Sequence, residues 1–171
     1  MHEMNPIFEA FWYILPAYFA NSSPVVLGGG TPIDFGKKWR DGRRIFGDGK
    51  TWRGFFGGIT VGTVVGTIQH LMFPGYYGSL KLAVGVAFLL SLGALVGDLI
   101  GSFIKRRLNM PRGYPAVGLD QWGFLISALC FAYPLRTIPT GEVLFLLVVT
   151  PVIHWLANVF AYRMKWKNVP W

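Results

Sequence analysis

Apolar residues run through this chain in long, nearly unbroken blocks rather than in the narrow stripes of amphipathic helices. A helix needs roughly 20 apolar residues to cross a bilayer core of about 30 Å. Five blocks approach that length, at about 7–27, 54–73, 82–104, 119–138 and 143–162. The first is the least regular, carrying Glu9, Pro16, Pro24 and an Asn21-Ser22-Ser23 patch. The second holds no charge and the third only Asp98. A soluble fold would need amphipathic helices to cover such blocks, and none remain. The pattern predicts an all-α integral membrane protein: one domain, 1–171, built as a bundle of about five transmembrane helices.

Composition agrees. Of the 171 residues, 53% are apolar and only 14% charged, against about 25% charged in an ordinary soluble domain. The 16% aromatic content excludes a disordered chain, and a single cysteine, Cys130, excludes a disulfide scaffold or a cysteine zinc site. The net charge of +8 would suit nucleic-acid binding if it formed a patch, but its distribution follows topology instead. Fourteen of the sixteen Lys and Arg residues fall in the loop of about 28–53, in the loop of about 105–118 (Lys105, Arg106, Arg107, Arg112) and after the fifth block (Arg163, Lys165, Lys167). Only Lys81 and Arg136 fall on the other side. The positive-inside rule makes those loops cytoplasmic. It puts the N-terminus outside and the C-terminus inside, in a multi-pass protein of the cell membrane.

Small residues predict how the helices meet. Gly54, Gly58, Gly62 and Gly66 recur every four residues on the second block, and Gly93, Gly97 and Gly101 on the third. That spacing forms grooves in which membrane helices approach closely. His70 and Gln69 sit near the outer end and read as structural. His154 and Asn158, on one face of the fifth block below Pro151, read as interhelical hydrogen-bonding groups.

Candidate chemistry centres on Asp98. A carboxylate inside a membrane helix is costly unless it is paired or faces a wet cavity. Asp98 lies seven residues before Lys105, about 10 Å inside the charged boundary at about 1.5 Å per residue. Ser102 and Lys105 share its stripe. Asp120 opens the fourth block on the same side. Asp98 and Asp120 together form a hard oxygen donor set suited to Mg²⁺, which retains waters and bridges to substrate phosphates. Lys50, Arg53, Lys105, Arg106, Arg107 and Arg112 lie at similar depth and could neutralise a nucleoside triphosphate. Asn21 and Pro24 form a polar break in the first block on that side, where freed backbone groups must be satisfied by protein or cavity water.

The stretch Gly97-Asp98-Leu99-Ile100-Gly101-Ser102-Phe103-Ile104-Lys105-Arg106, with Gly118-Leu119-Asp120-Gln121 beyond it, resembles the signature of CTP-dependent cytidylyltransferases that make CDP-activated membrane lipids. Lys50-Thr51-Trp52-Arg53-Gly54-Phe55-Phe56-Gly57-Gly58 resembles a second signature of that superfamily. Asn21 with Pro24, Pro32-Ile33-Asp34-Phe35-Gly36, Asp41-Gly42-Arg43-Arg44 and Gly47-Asp48-Gly49-Lys50-Thr51 are similar to the archaeal branch, the CDP-archaeol synthases. The resemblance implies that a phosphate oxygen of 2,3-bis-O-geranylgeranylglycerol 1-phosphate attacks the α-phosphorus of CTP, releasing pyrophosphate. It implies Asp98 and Asp120 as metal ligands and, with Lys105, as catalytic residues. It implies that CTP and its phosphates are bound by Lys50, Thr51, Arg53, Ser102, Arg106, Asn21, Arg43, Arg44 and Asp48. The resemblance implies one or two Mg²⁺ ions, the number being open because Gly123 stands where the family often has a further carboxylate; an additional monovalent cation is compatible with it. The implied partners are CTP, an isoprenoid ether-lipid phosphate and membrane lipids, without nucleic acid; a homodimer stays compatible. Three other readings remain. One is a CTP-dependent polyprenol-type lipid kinase. Another is a CDP-alcohol phosphotransferase, whose downstream Gly-x-x-x-Asp-x-x-x-Asp is absent. The last is a non-catalytic membrane subunit or transporter.

Overall fold

The computed structural model describes residues 5–111 and 113–170, so Arg112 lies outside the described residues. The chain forms helices α1 (Pro6–Ser22), α2 (Pro24–Leu27), α3 (Trp52–Met72), α4 (Pro74–Tyr77), α5 (Leu80–Arg107), α6 (Leu119–Ala132) and α7 (Thr140–Arg163). No strand forms among the described residues; the loop between α2 and α3 holds only isolated bridges, Pro32 with Thr51 and Lys38 with Arg44. Three helices, α3, α5 and α7, are long and apolar enough to cross a membrane.

Local chemistry explains where the helices start and stop. Asn5 caps α1 by accepting from the Ile7 amide, and Pro6 takes the first helical position, where no amide partner is needed. Thr51 caps α3 through the Gly54 amide, and Ser79 caps α5 through the Leu82 amide. The first apolar block is split at Ser23, because Pro24 has no amide to continue the ladder. The fourth block, expected to run to about residue 138, yields a helix of only 14 residues, about 21 Å long. Pro134 stops it, and Tyr133–Leu135 turn away. At 28 residues, α5 is about 42 Å long and carries its basic end beyond the apolar span.

Glycines bring the backbones together. The α3 stripe faces α1 on one side and α5 on the other. A Cβ on Gly62 would lie 2.5 Å from the Pro16 carbonyl and 2.1 Å from Ser91 Oγ. On α5, a Cβ on Gly97 would lie 2.4 Å from the carbonyl oxygen of Gly123 on α6. Gly123, which stands where the resembled family often has a further carboxylate, is therefore the residue at which α6 meets α5 backbone to backbone. The core is assembled around Tyr13, Ile14, Leu90, Leu125 and Leu146, all fully buried.

The two prolines inside helices each free a carbonyl, and a neighbouring helix satisfies it. Pro16 frees the carbonyl of Trp12, which accepts from Gln69 Nε2 of α3 at 2.6 Å. Pro151 frees that of Leu147, which accepts from Trp122 Nε1 of α6 at 2.9 Å. Buried Gln69 is thus structural, as its place near the outer end suggested.

The Gly97 contact predicts that Gly97→Ala lowers stability by about 1–3 kcal/mol through overpacking, read as a drop in the thermal midpoint of the detergent-solubilised protein. Gly141→Ala, where a Cβ meets nothing within 4 Å, is expected to leave the midpoint in place.

Candidate active site

At the basic end of the bundle lies a cavity of about 810 Å³. Asn21, Pro24 and Val25 wall it from α1 and α2, and His154 and Asn158 from α7. Phe46–Lys50 close one side, Tyr114 and Pro115 another, and residues 166–169 lie across it beyond the end of α7.

The contact of Gly97 with Gly123 dictates what faces this space. Asp98 follows Gly97 on α5 and Asp120 sits one helical turn before Gly123 on α6, so the close crossing turns both carboxylates into the same cavity. Each is paired with a lysine. Lys50 Nζ bonds Asp98 Oδ2. Lys105 Nζ bonds Asp120 Oδ1 at 2.5 Å, while Asp120 Oδ2 accepts the Ala116 amide at 3.0 Å. Asp98 Oδ1 accepts no hydrogen bond from the described residues. Both carboxylates keep part of their side-chain surface open, 27% for Asp98 and 20% for Asp120. Ser102 and Arg106 complete the α5 face. Four cations (Lys50, Lys105, Arg106, Lys167) and three anions (Asp48, Asp98, Asp120) line the cavity among the described residues.

The expected phosphate binders divide into two groups. Asn21, Asp48, Lys50, Ser102, Lys105 and Arg106 reach the cavity. Thr51, Arg43, Arg44 and Arg53 do not line it, because the loop uses them for its own structure. Thr51 is buried as the α3 cap. Arg53 donates to the carbonyls of Leu27 and Gly28, tying α3 to the end of α2. Arg43 donates to the Arg107 carbonyl at 2.5 Å, and Arg107 returns to the carbonyls of Arg43 and Arg44 and pairs with Asp41 at 3.0 Å.

Arg44 is held by Asp34, whose side chain is fully buried. Asp34 accepts from Arg44 Nη2 at 2.5 Å and from the amides of Gly36, Phe46 and Gly47 at 2.9–3.1 Å. Burial alone would raise its pKa, but the Arg44 guanidinium and these amides hold it well below the usual carboxylate range. Asp34 thereby folds the loop that delivers Phe46–Lys50 to the cavity. Arg44 also carries Asp48 Oδ1 at 2.6 Å.

Sequence reasoning missed three residues of the site. His154 and Asn158 do not bridge helices. Asn158 Nδ2 lies 3.2 Å from His154 Nδ1, one turn away on α7, and Asn158 Oδ1 accepts from Lys167 Nζ at 2.8 Å. Lys167 had been counted only as a topology charge. Burial pushes its pKa down, Asp120 opposes that shift, and Lys105 and Lys50 add to it.

The CarS-like family model, described as CDP-archaeol synthase, matches residues 3–171. The chain is 81% identical to the CDP-archaeol synthase of Pyrococcus horikoshii, over 99% of each chain. It is 47% identical to that of Methanocaldococcus jannaschii, over 96% of this chain and 97% of that one. A solved structure of an intramembrane enzyme for archaeal membrane lipid biosynthesis superposes with a TM-score of 0.81 at 38% identity, over 90% of this chain and 94% of the other.

The Asp34 clasp predicts that Asp34→Ala costs about 1–3 kcal/mol of local loop stability, because it leaves the amides of Phe46 and Gly47 without their acceptor and Arg44 with Asp48 alone. Faster hydrogen exchange across residues 33–50 would show it. Since folding lowers the Asp34 pKa, its stabilisation is complete above the unfolded value of about 3.9 and is lost only as pH falls toward the lower folded value. Loop exchange at neutral pH should therefore not respond to pH through this group.

Proposed function

The chain belongs to the CDP-archaeol synthase family, a family of CTP-dependent cytidylyltransferases of archaeal lipid biosynthesis, and we propose that its cavity performs the transfer with Asp98 and Asp120 at the reacting phosphates. The observation that carries this reading is the meeting of two lysine-paired carboxylates on one cavity at the basic end of a bundle of membrane-length helices.

The donor set fits Mg²⁺. That ion is typically held by one or two carboxylates, with waters and substrate phosphates filling its shell, and Asp98 and Asp120 are partly open oxygen donors with no third His, Cys, Asp or Glu clustered beside them among the described residues. Bound there, the ion would neutralise phosphate charge and polarise the α-phosphoryl group. Lys50 and Lys105 are already aligned with the two carboxylates. Together with Arg106 they offer cationic donors to the triphosphate.

The reaction joins two anions. An oxygen of the ether-lipid phosphate forms a bond to the α-phosphorus of CTP, the bond from that phosphorus to the bridging oxygen of the β-phosphate breaks, and pyrophosphate leaves with the electron pair. The nucleophile is already ionised, so no strong base is needed. The residues contribute orientation and charge: they hold two mutually repelling phosphates in line and stabilise the charge that develops between them. Fourteen of sixteen basic residues cluster at the cavity end in sequence, which supports a cytoplasmic opening through which CTP enters. The lipid remains in the membrane, and its phosphate reaches the cavity beside the apolar faces of α2 and α7.

Two outcomes are expected. CTP labelled at the α-phosphate passes its label to the lipid while γ-label leaves as pyrophosphate; γ-label on the lipid would instead make the protein a lipid kinase. Asp98→Asn lowers turnover at least about a hundredfold, the scale for loss of one electrostatic contact at a reacting centre, in a protein that still folds, as its helical circular dichroism in detergent would show.

A further inference from the structure

The chain beyond α7 turns back on itself. Lys165 takes a positive φ of 60°, and the amides of Trp166 and Lys167 return to the Ala161 carbonyl at 2.9 and 3.3 Å. Trp166 closes edge-on against Phe160. Val169 lies beside Gly113 in the loop between α5 and α6. This reversal sends the Lys167 side chain back up α7 to Asn158, five residues before the helix ends, about 7 Å into the bundle.

Donor and acceptor chemistry fixes the order of the contacts. An ammonium only donates, so Asn158 Oδ1 accepts from Lys167. The Asn158 amide must then donate to His154 Nδ1, which leaves the His154 proton on Nε2. The His154 ring lies against Phe124 of α6. A neutral relay therefore positions one cation on the α7 wall of the cavity.

That wall differs from the one carrying Lys50, Lys105 and Arg106. It is built on α7, whose outer face exposes Val152, Trp155, Leu156 and Phe160. Of the two substrates, only the lipid must keep apolar chains along such a surface while its phosphate enters the cavity. Building on the cytidylyltransferase reading, we propose that Lys167, positioned by Asn158 and His154, binds the phosphate of the lipid substrate and brings it against the nucleotide held by Lys50, Lys105 and Arg106.

The test compares wild type, Lys167→Met, Lys167→Arg and Asn158→Leu in detergent micelles, with 2,3-bis-O-geranylgeranylglycerol 1-phosphate and CTP varied separately. Lys167→Met should raise KM for the lipid phosphate about tenfold or more and leave KM for CTP within about twofold, a split that general loss of structure would not produce. Lys167→Arg should recover most of the loss, and Asn158→Leu should show the same split in weaker form. Equal rises in both KM values, or no change in either, would overturn the assignment. Binding of the lipid phosphate without CTP is measured in parallel and should weaken about tenfold in Lys167→Met. Equal binding by wild type and Lys167→Met refutes the role of Lys167 whatever the turnover. A wild-type protein that binds the lipid phosphate through Lys167 but forms no CDP-lipid would refute the cytidylyltransferase reading alone.

Discussion

Everything at the cavity depends on how closely α5 and α6 cross. Gly97 and Gly123 place backbone against backbone, with no room for a Cβ on Gly97. Without an aqueous phase between helices, packing of this kind is a main source of helix association in a bilayer. Here it also sets the chemistry, because Asp98 is the next residue on one helix and Asp120 is one turn away on the other. A larger residue at the crossing would part the carboxylates as well as the helices.

The rest of the structure keeps polar groups satisfied around that crossing. The helix-breaking prolines are tolerated because Gln69 and Trp122 donate to the carbonyls that Pro16 and Pro151 release. Pro24 breaks the first apolar block where Asn21 and Val25 reach the cavity. The long basic loop has neither helix nor sheet to fill its backbone valences. Buried Asp34 supplies a substitute, collecting one guanidinium and three amides. Several arginines that seem placed for phosphate instead hold this loop and the end of α5 together.

Charge at the site is arranged in pairs. Lys50 with Asp98 and Lys105 with Asp120 keep four ionised groups at the edge of a membrane bundle without leaving any of them isolated. A lone charge there would be costly; pairing and partial opening to the cavity offset that cost. The tail adds Lys167 from the α7 wall, where it donates to Asn158, so that the cavity presents cations on two sides.

Much of this was legible in the chain itself. Apolar blocks report the membrane because their lengths are set by the bilayer. Glycines at four-residue spacing report close helix packing. Asp98 announces itself because an ionisable group at that depth must serve a purpose. The short α6 was marked by Pro134, although the apolar run beyond it masked the stop. Tertiary structure alone decided which basic residues face the cavity. The partners of Asp34 lie up to 13 residues away, and the partner of Arg43 lies 64 away, so pairing depends on the path of the loop and not on local pattern. Lys167 likewise looks like an ordinary inside charge until the reversal at Lys165 returns it to Asn158. Burial and periodicity are properties of segments and can be read along a chain. The direction of a long charged side chain is settled by whichever acceptors the completed fold brings within reach.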